Sequence, residues 1–323
     1  MALYVLRRVL QLVPVLFGIS VITFSMIYLI PGDPVQLIMG QHQDPAIKAS
    51  IRHELGLDKP VIVQYGTYVG RAIKGDLGRS YVKRRKVSEL VSEKFEATLI
   101  LTISAMVFAI VFGVFAGLVS AARPNSVWDY LMMVVAVIGI SLPVFWLGLM
   151  LQILANHVNA ALSAGQVATI IPVSGYFSEG APWLKNIRHL ILPTITLATI
   201  PMAIIARMVR SSMLEVMNLE FIRTARAKGL PQRVVVIKHA LKNALIPIVT
   251  VIGNNFAILL TGAVLTETVF SWPGMGRMMV DAINQRDFPV VMGGVLVMSI
   301  VFVLVNLVVD VLYAWIDPRI RYE

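Results

Sequence analysis

The chain contains no cysteine. Disulfides, thiolate metal sites and cysteine nucleophiles are excluded, and the absence says nothing of compartment. Charge is scarce too: 14% of the 323 residues are Asp, Glu, Lys or Arg, against about 25% in a soluble domain. No G-x-x-x-x-G-K-[ST] occurs, so there is no P-loop nucleotide site. The histidines His42, His53, His157, His189 and His239 form no H-E-x-x-H or other paired-ligand spacing, and His42 and His53 read as solvated loop residues. Gly-Ile-Ser at 139–141 lacks the x-G that completes a nucleophile elbow. No Ser/His or Asp/Asp pair for an intramembrane protease can be assembled. These gaps predict that the chain is not an enzyme and holds no metal or cofactor.

What the chain has is long apolar runs. Hydrophobic residues make up 57%, with a mean hydropathy of +0.78. A spanning helix needs about 20 mostly apolar residues, and six stretches qualify: Val9–Ile30, Thr98–Ala122, Tyr130–Ala155, Leu190–Ala206, Ala244–Thr266 and Val290–Trp315. The fourth is short and is interrupted by Pro193 and Pro201. Arg7 and Arg8 before the first run resemble a secretory signal, but the run is too long and ends in IPGDP, so it reads as a retained helix. The fold class is therefore an all-α polytopic membrane protein with six transmembrane helices. A net charge of +10 fits basic loops in a lipid-embedded chain rather than a nucleic-acid partner.

Basic residues also set the expected orientation. The N-terminus, the loop with Arg123, the 207–243 segment and the tail with Arg319 and Arg321 carry 13 Lys and Arg. The opposite side carries 4 outside loop 31–95, whose 65 residues exceed the length over which the positive-inside rule holds. Both termini and the 207–243 segment are thus expected in the cytoplasm. The Lys83-Arg84-Arg85-Lys86 run then lies outside, where it reads as a solvated loop.

The expected domain order is an N-terminal tail and first helix (1–30) and an extracytoplasmic loop domain (31–95). A transmembrane core (96–316) with a cytoplasmic loop (213–243) and a cytoplasmic tail (317–323) follow. In loop 31–95, Asp44-Pro45 predicts a helix start, Gly56 ends that helix, and Pro60 opens another. KGDLGRS at 74–80 predicts a turn. Residues 156–189, with Pro172, Gly175, Gly180 and Pro182, read as loop.

The stretch RTARAKGLPQRVVVIKHALKNALIPI (223–248) holds six Lys or Arg between apolar runs. It cannot span: six cations at mid-bilayer would cost about 15–20 kcal/mol on insertion scales. Gly229 is placed to end a helix in the left-handed conformation, Leu230 to pack back, and Pro231 to prevent continuation. Helix is expected to resume over Gln232 to Ala244. Two readings follow: a helix on anionic headgroups, or a docking helix for a cytoplasmic partner. The fixed corner, and a first helix whose middle is Ala, Thr and Arg rather than a large apolar face, favour docking.

An intramembrane ionisable residue marks ion-coupled transporters. Glu96, Asp129 and Glu267 sit at span edges, and Asp310 alone lies inside one. An ion-coupled secondary transporter or channel is therefore poorly supported, and active transport would need power through a cytoplasmic contact. Gly113-x-x-x-Gly117 predicts close approach of another helix. Pro14, Pro143, Pro201 and Pro247 predict kinks or local opening.

The same residues carry a family resemblance. RTARAKGLPQRVVVIKHALKNALIP resembles the cytoplasmic EAA loop of ATP-binding-cassette importer permeases, in the form of the oligopeptide/dipeptide branch. Gly229 matches the motif's glycine and Ala225 its second alanine, whereas Arg223 and Thr224 stand in place of Glu and Ala. YVLRRVLQLVPVLFGISVITFSMIYLIPGDP, GLDKPVIVQYGTYVGRAIKGDLGRSY, ETVFSWPGMGRMMVDAINQRDFPVVMG and DPRIRYE resemble the branch's B-type permease subunit along the whole chain. The resemblance implies the type I importer fold and import of di- or oligopeptides. Nickel complexes, glutathione or another small solute are the alternatives. It implies a homologous second permease, two cytoplasmic ATPases that carry ATP and Mg, an extracytoplasmic substrate-binding protein, and a prokaryotic cytoplasmic membrane. It implies ATPase coupling through Arg223, Thr224, Ala225, Arg226, Ala227, Lys228, Gly229, Leu230 and Pro231.

Overall fold

The computed structural model describes residues 2–29, 35, 48–49, 52–53, 57–162, 171–176 and 183–316. Among them the regular structure is helical: α1 (Ala2–Leu29), α2 (Val61–Ile73), α3 (Val87–Ala122), α4 (Val127–Ser141), α5 (Val144–Leu162), α6 (Trp183–Met217) and α7 (Glu220–Ala227). Then come α8 (Gln232–Val234), a π-helical segment (Val235–Leu241), α9 (Lys242–Gly262), α10 (Val264–Val269), α11 (Met275–Asn284) and α12 (Phe288–Ile316). Six helices are long and apolar enough to cross a membrane: Arg7–Met26, Val87–Ala122, Val144–Leu162, Ile187–Met217, Gln232–Thr261 and Phe288–Leu312. The protein is a multi-pass membrane protein.

The predicted third span is not one helix. The chain breaks between α4 and α5 at Leu142, which is extended (φ −79°, ψ 131°), as the ring of the following Pro143 requires of its predecessor. The fourth span is longer than predicted and runs unbroken through Pro193 and Pro201. Pro14 and Pro247 also lie inside continuous helices. Their long apolar stretches suit them to lipid, where backbone groups must bond internally; a missing N–H is tolerated within a long ladder. The Pro60 signal holds, with Pro60 at the N-cap of α2. Asp44-Pro45, Gly56, Gly180, Pro182 and the tail from 317 lie outside the described residues.

The helices form two compact units, Thr98–Pro273 with Val305–Glu323, and Ala2–Ala97 with Gly274–Leu304. In the second unit, Phe24 of α1 stacks edge-on with Tyr65 of α2, and the Ser20 and Tyr65 hydroxyls lie 2.7 Å apart. Its apolar core joins Val87, Leu90 and Val91 of α3 to Met275, Met278 and Ala282 of α11 and to Val290, Val291 and Met298 of α12.

The 74–80 stretch is the turn its glycines predict, with Gly75 and Gly78 at φ +77° and +84°. It leads into a tight hairpin: Ser80 N donates to Arg85 O at 2.9 Å and Val87 N to Gly78 O at 3.0 Å. Asp287, 2% exposed, accepts from the Ser80 hydroxyl and from the backbone N–H of Tyr81 at 3.1 Å. Burial, with the Asp287 charge nearby, pushes the Tyr81 phenol up to about 12. The Lys83–Lys86 run is exposed but folded, and Arg85 pairs with Glu93. His53 is exposed and bonds Asp58 at 2.6 Å, which holds the Asp58 carboxyl below its ordinary value.

In the first unit α4 and α9 pack along α6. The Gly113-x-x-x-Gly117 prediction holds. A Cβ on Gly113 would stand 2.7 Å from Met202 O, and one on Gly117 2.5 Å from Val209 Cβ. Only glycine lets α3 lie this close to α6.

Candidate functional site

α6 ends at Met217 and passes into α7 through two residues. Asn218 Nδ2 donates to Leu214 O at 3.0 Å, and Leu219 N to Val216 O at 3.1 Å. Leu219 is extended, with ψ 151°, at the start of α7. Ile222 and Ala225, one turn apart, are buried at 0% and 7%. This seats α7 by one narrow face. Arg223, Thr224, Arg226, Ala227 and Lys228 are exposed, and Phe221 beside them keeps 41% of its surface in solvent. The Thr224 hydroxyl donates back to Glu220 O at 3.1 Å. The outer face thus offers cations and one aromatic ring.

The corner predicted at Gly229 is present. Gly229 has φ +72°. Its N–H donates to Arg226 O at 2.9 Å, and Leu230 N to Ala225 O at 3.4 Å. This nested pair is the Schellman closure of a helix C-terminus. Leu230 is half-buried and Pro231 exposed. Pro231, at φ −58° and ψ 140°, opens α8, and its carbonyl accepts from Val234 N at 2.9 Å and Val235 N at 3.1 Å. All nine residues from Arg223 to Pro231 therefore lie on one helix–corner–helix unit.

Beyond the corner the structure departs from the expectation of plain α-helix over Gln232 to Ala244. Val235–Leu241 is π-helical. The wider turn lets Val235 and Ala240, five apart, both bury completely, while Lys238 and Lys242 remain exposed. Such segments are frequent at functional sites.

Two polar clusters in the first unit were not visible to sequence reasoning. Asp129, 1% exposed, receives both prongs of the Arg210 guanidinium, Nε and Nη2, at 2.7 Å each. It also accepts from the Ser120 hydroxyl and from Asn125 N at 2.9 Å. Removing Arg210, which keeps 29% of its own side chain exposed, would strand a buried carboxylate at a cost of about 3–5 kcal/mol. The pair brings the Arg123 loop and the 207–217 end of α6 to one end of the unit. Elsewhere, fully buried Glu267 accepts from the Thr98 hydroxyl at 2.7 Å. The signal available was an acid bordering an apolar segment, which requires a partner but does not name it. Among the described residues no three His, Asp or Glu side chains group to hold a metal.

Two family models match most of the chain. Residues 109–322 match the binding-protein-dependent transport system inner membrane component, and residues 1–102 the N-terminal part of that membrane component. The chain belongs to the binding-protein-dependent transport system inner membrane component family. This member is 50% identical to the dipeptide transport system permease protein DppB of Alkalihalophilus pseudofirmus, over 100% of both chains. It is 42% identical to the glutathione transport system permease protein GsiC of Escherichia coli, over 99% of each. An inward-facing structure of the MetNI methionine ABC transporter shares its fold, with a TM-score of 0.53 and 20% identity, over 71% of this chain and 96% of that one. The permease is thus a transport subunit, not an enzyme.

Proposed function

We propose that the permease is one of the two membrane subunits of an ATP-powered importer of di- and oligopeptides in a prokaryotic cytoplasmic membrane. Its termini and the 213–243 loop face the cytoplasm, residues 31–95 form an external domain, and residues 96–316 form half of the path. A homologous permease supplies the other half. Two cytoplasmic ATPases carry ATP and Mg, and an external binding protein delivers cargo. Peptide cargo is supported by the name of the DppB relative. A glutathione importer is the second reading, supported by the GsiC relative.

The observation that carries the reading is the exposed corner from Arg223 to Pro231. α7 is fixed below by Ile222 and Ala225 and is open above. A partner cleft that takes up its cationic face can push or pull α6 through the short Asn218–Leu219 link. Closure of the ATPase pair would then open the path outward, and hydrolysis would reset it. Copurification from native membranes tests the proposal. A second permease, ATPases and a binding protein loaded with peptide are expected. A chain that purifies alone and moves solute without ATP would refute it.

A further inference from the structure

We propose that the Asp129–Arg210 pair is a positioning brace. It locks the α3–α4 corner to the part of α6 that leads into α7, so that α3, α4 and α6 move as one body when α7 is displaced. The inference rests on the reading of α7 as the ATPase-docking helix.

The geometry has three parts. First, one carboxylate ties three segments: Ser120 on α3, Asn125 in the corner, and Arg210 on α6. Asn125 itself sits at φ +59°, so the corner adopts a constrained backbone to reach it. Second, α6 runs without a break from Arg210 to Met217, and α7 begins three residues later at Glu220. Third, α3 already touches α6 through Gly113 and Gly117. The pair adds a fastening of α4 to α6, extended to α3 through Ser120, and it fixes rotation as well as distance. A buried ion pair adds little stability over apolar residues of the same volume. What the guanidinium fork adds is orientation, through two parallel bonds in one plane.

The complete transporter in proteoliposomes, with ATP hydrolysis and peptide import measured together, tests the brace. Asp129→Asn keeps the shape and removes the charge. Hydrolysis should persist while peptide imported per ATP falls about tenfold, within the range of an allosteric coupling energy. Arg210→Lys, which keeps the charge without the fork, should lose part of this, and Ser120→Ala should stay near wild type. Wild-type stoichiometry in assembled Asp129→Asn, or hydrolysis falling in step with import in assembled complex, would overturn the brace.

A distance measurement covers the case in which neither Asp129→Asn nor Arg210→Lys assembles. The chain has no native cysteine, so spin labels at Arg123→Cys and Ser211→Cys, both exposed positions, report on an intact pair. Their separation should be the same with and without ATP. A change of about one helical turn, 5.4 Å, would overturn the proposal. Gly229→Asp separates the two readings. If it imports normally, the docking role of α7 fails; if it uncouples while Asp129→Asn does not, only the brace fails.

Discussion

Asp287 holds the backbone N–H of Tyr81 at 3.1 Å, across 206 residues of sequence. The same carboxylate takes the Ser80 hydroxyl, whose oxygen accepts from Lys83 N at 2.8 Å. A buried acid at the start of α12 thus shapes the loop that carries Lys83, Arg84, Arg85 and Lys86. Asp287→Ala leaves these donors without an acceptor and should cost about 1–3 kcal/mol. Hydrogen exchange at Tyr81, Val82 and Lys83 should accelerate. Unchanged exchange there would show that the loop holds itself.

Gly229→Asp should leave the chain inserted but lower ATP-dependent uptake. The left-handed conformation costs an L-residue about 1–2 kcal/mol, and the carboxylate adds negative charge to a cationic face. Gly229→Asn should be milder, because Asn and Asp tolerate this conformation alike and Asn adds no charge. No heavy atom lies within 4 Å of the added Cβ, so steric crowding is not the cause. Membrane abundance by immunoblot and uptake in cells decide the matter; loss of the protein from the membrane would point to folding instead.

Gly117→Ala should destabilise where Gly66→Ala does not. The new Cβ on Gly117 would meet Val209 Cβ at 2.5 Å and Ala206 O at 2.6 Å, whereas nothing lies within 4 Å at Gly66. Overpacking of this kind typically costs about 1–3 kcal/mol. Thermal unfolding in detergent should show a lower midpoint for the first variant and an unchanged one for the second.

Gln152 ties α5 to two chain segments, donating to Val173 O at 2.9 Å and Val269 O at 3.0 Å. Gln152→Leu leaves both carbonyls short of a donor in an apolar setting, at about 0.5–1.5 kcal/mol per bond. The unfolding midpoint should fall, and proteolysis near 171–176 should quicken. Equal protease resistance would argue that Gly175 N on Phe270 O, at 2.9 Å, secures this segment alone.

What the sequence made legible was local. Gly229 followed by Leu230-Pro231 encodes its corner within three residues. Gly113 and Gly117 mark a close contact because glycine there has no other use. Apolar runs of spanning length mark the membrane helices. What was not legible depends on partners far along the chain. Arg210 reads as one more loop cation until the fold brings Asp129, 81 residues away, to its fork. Asp287 is an ordinary loop acid until Ser80 arrives. The break at Leu142 had its local cause in Pro143, yet Pro193 and Pro201 carry the same mark and break nothing. Proline alone does not tell a hinge from a tolerated kink. The π-helical segment left no trace in composition, since its wider turn serves the burial of Val235 and Ala240.

The bidentate grip on Asp129 also bears on how the chain is made. Insertion reads Lys and Arg near the ends of each span, before distant helices have met. Under the proposed orientation, Arg210 at that stage is a cation not yet met by Asp129, and it helps retain the 207–243 segment in the cytoplasm. Only after α3, α4 and α6 assemble does Asp129 neutralise it. Under that orientation one side chain acts twice during biogenesis, first as a topological signal and later as half of an ion pair with no net charge.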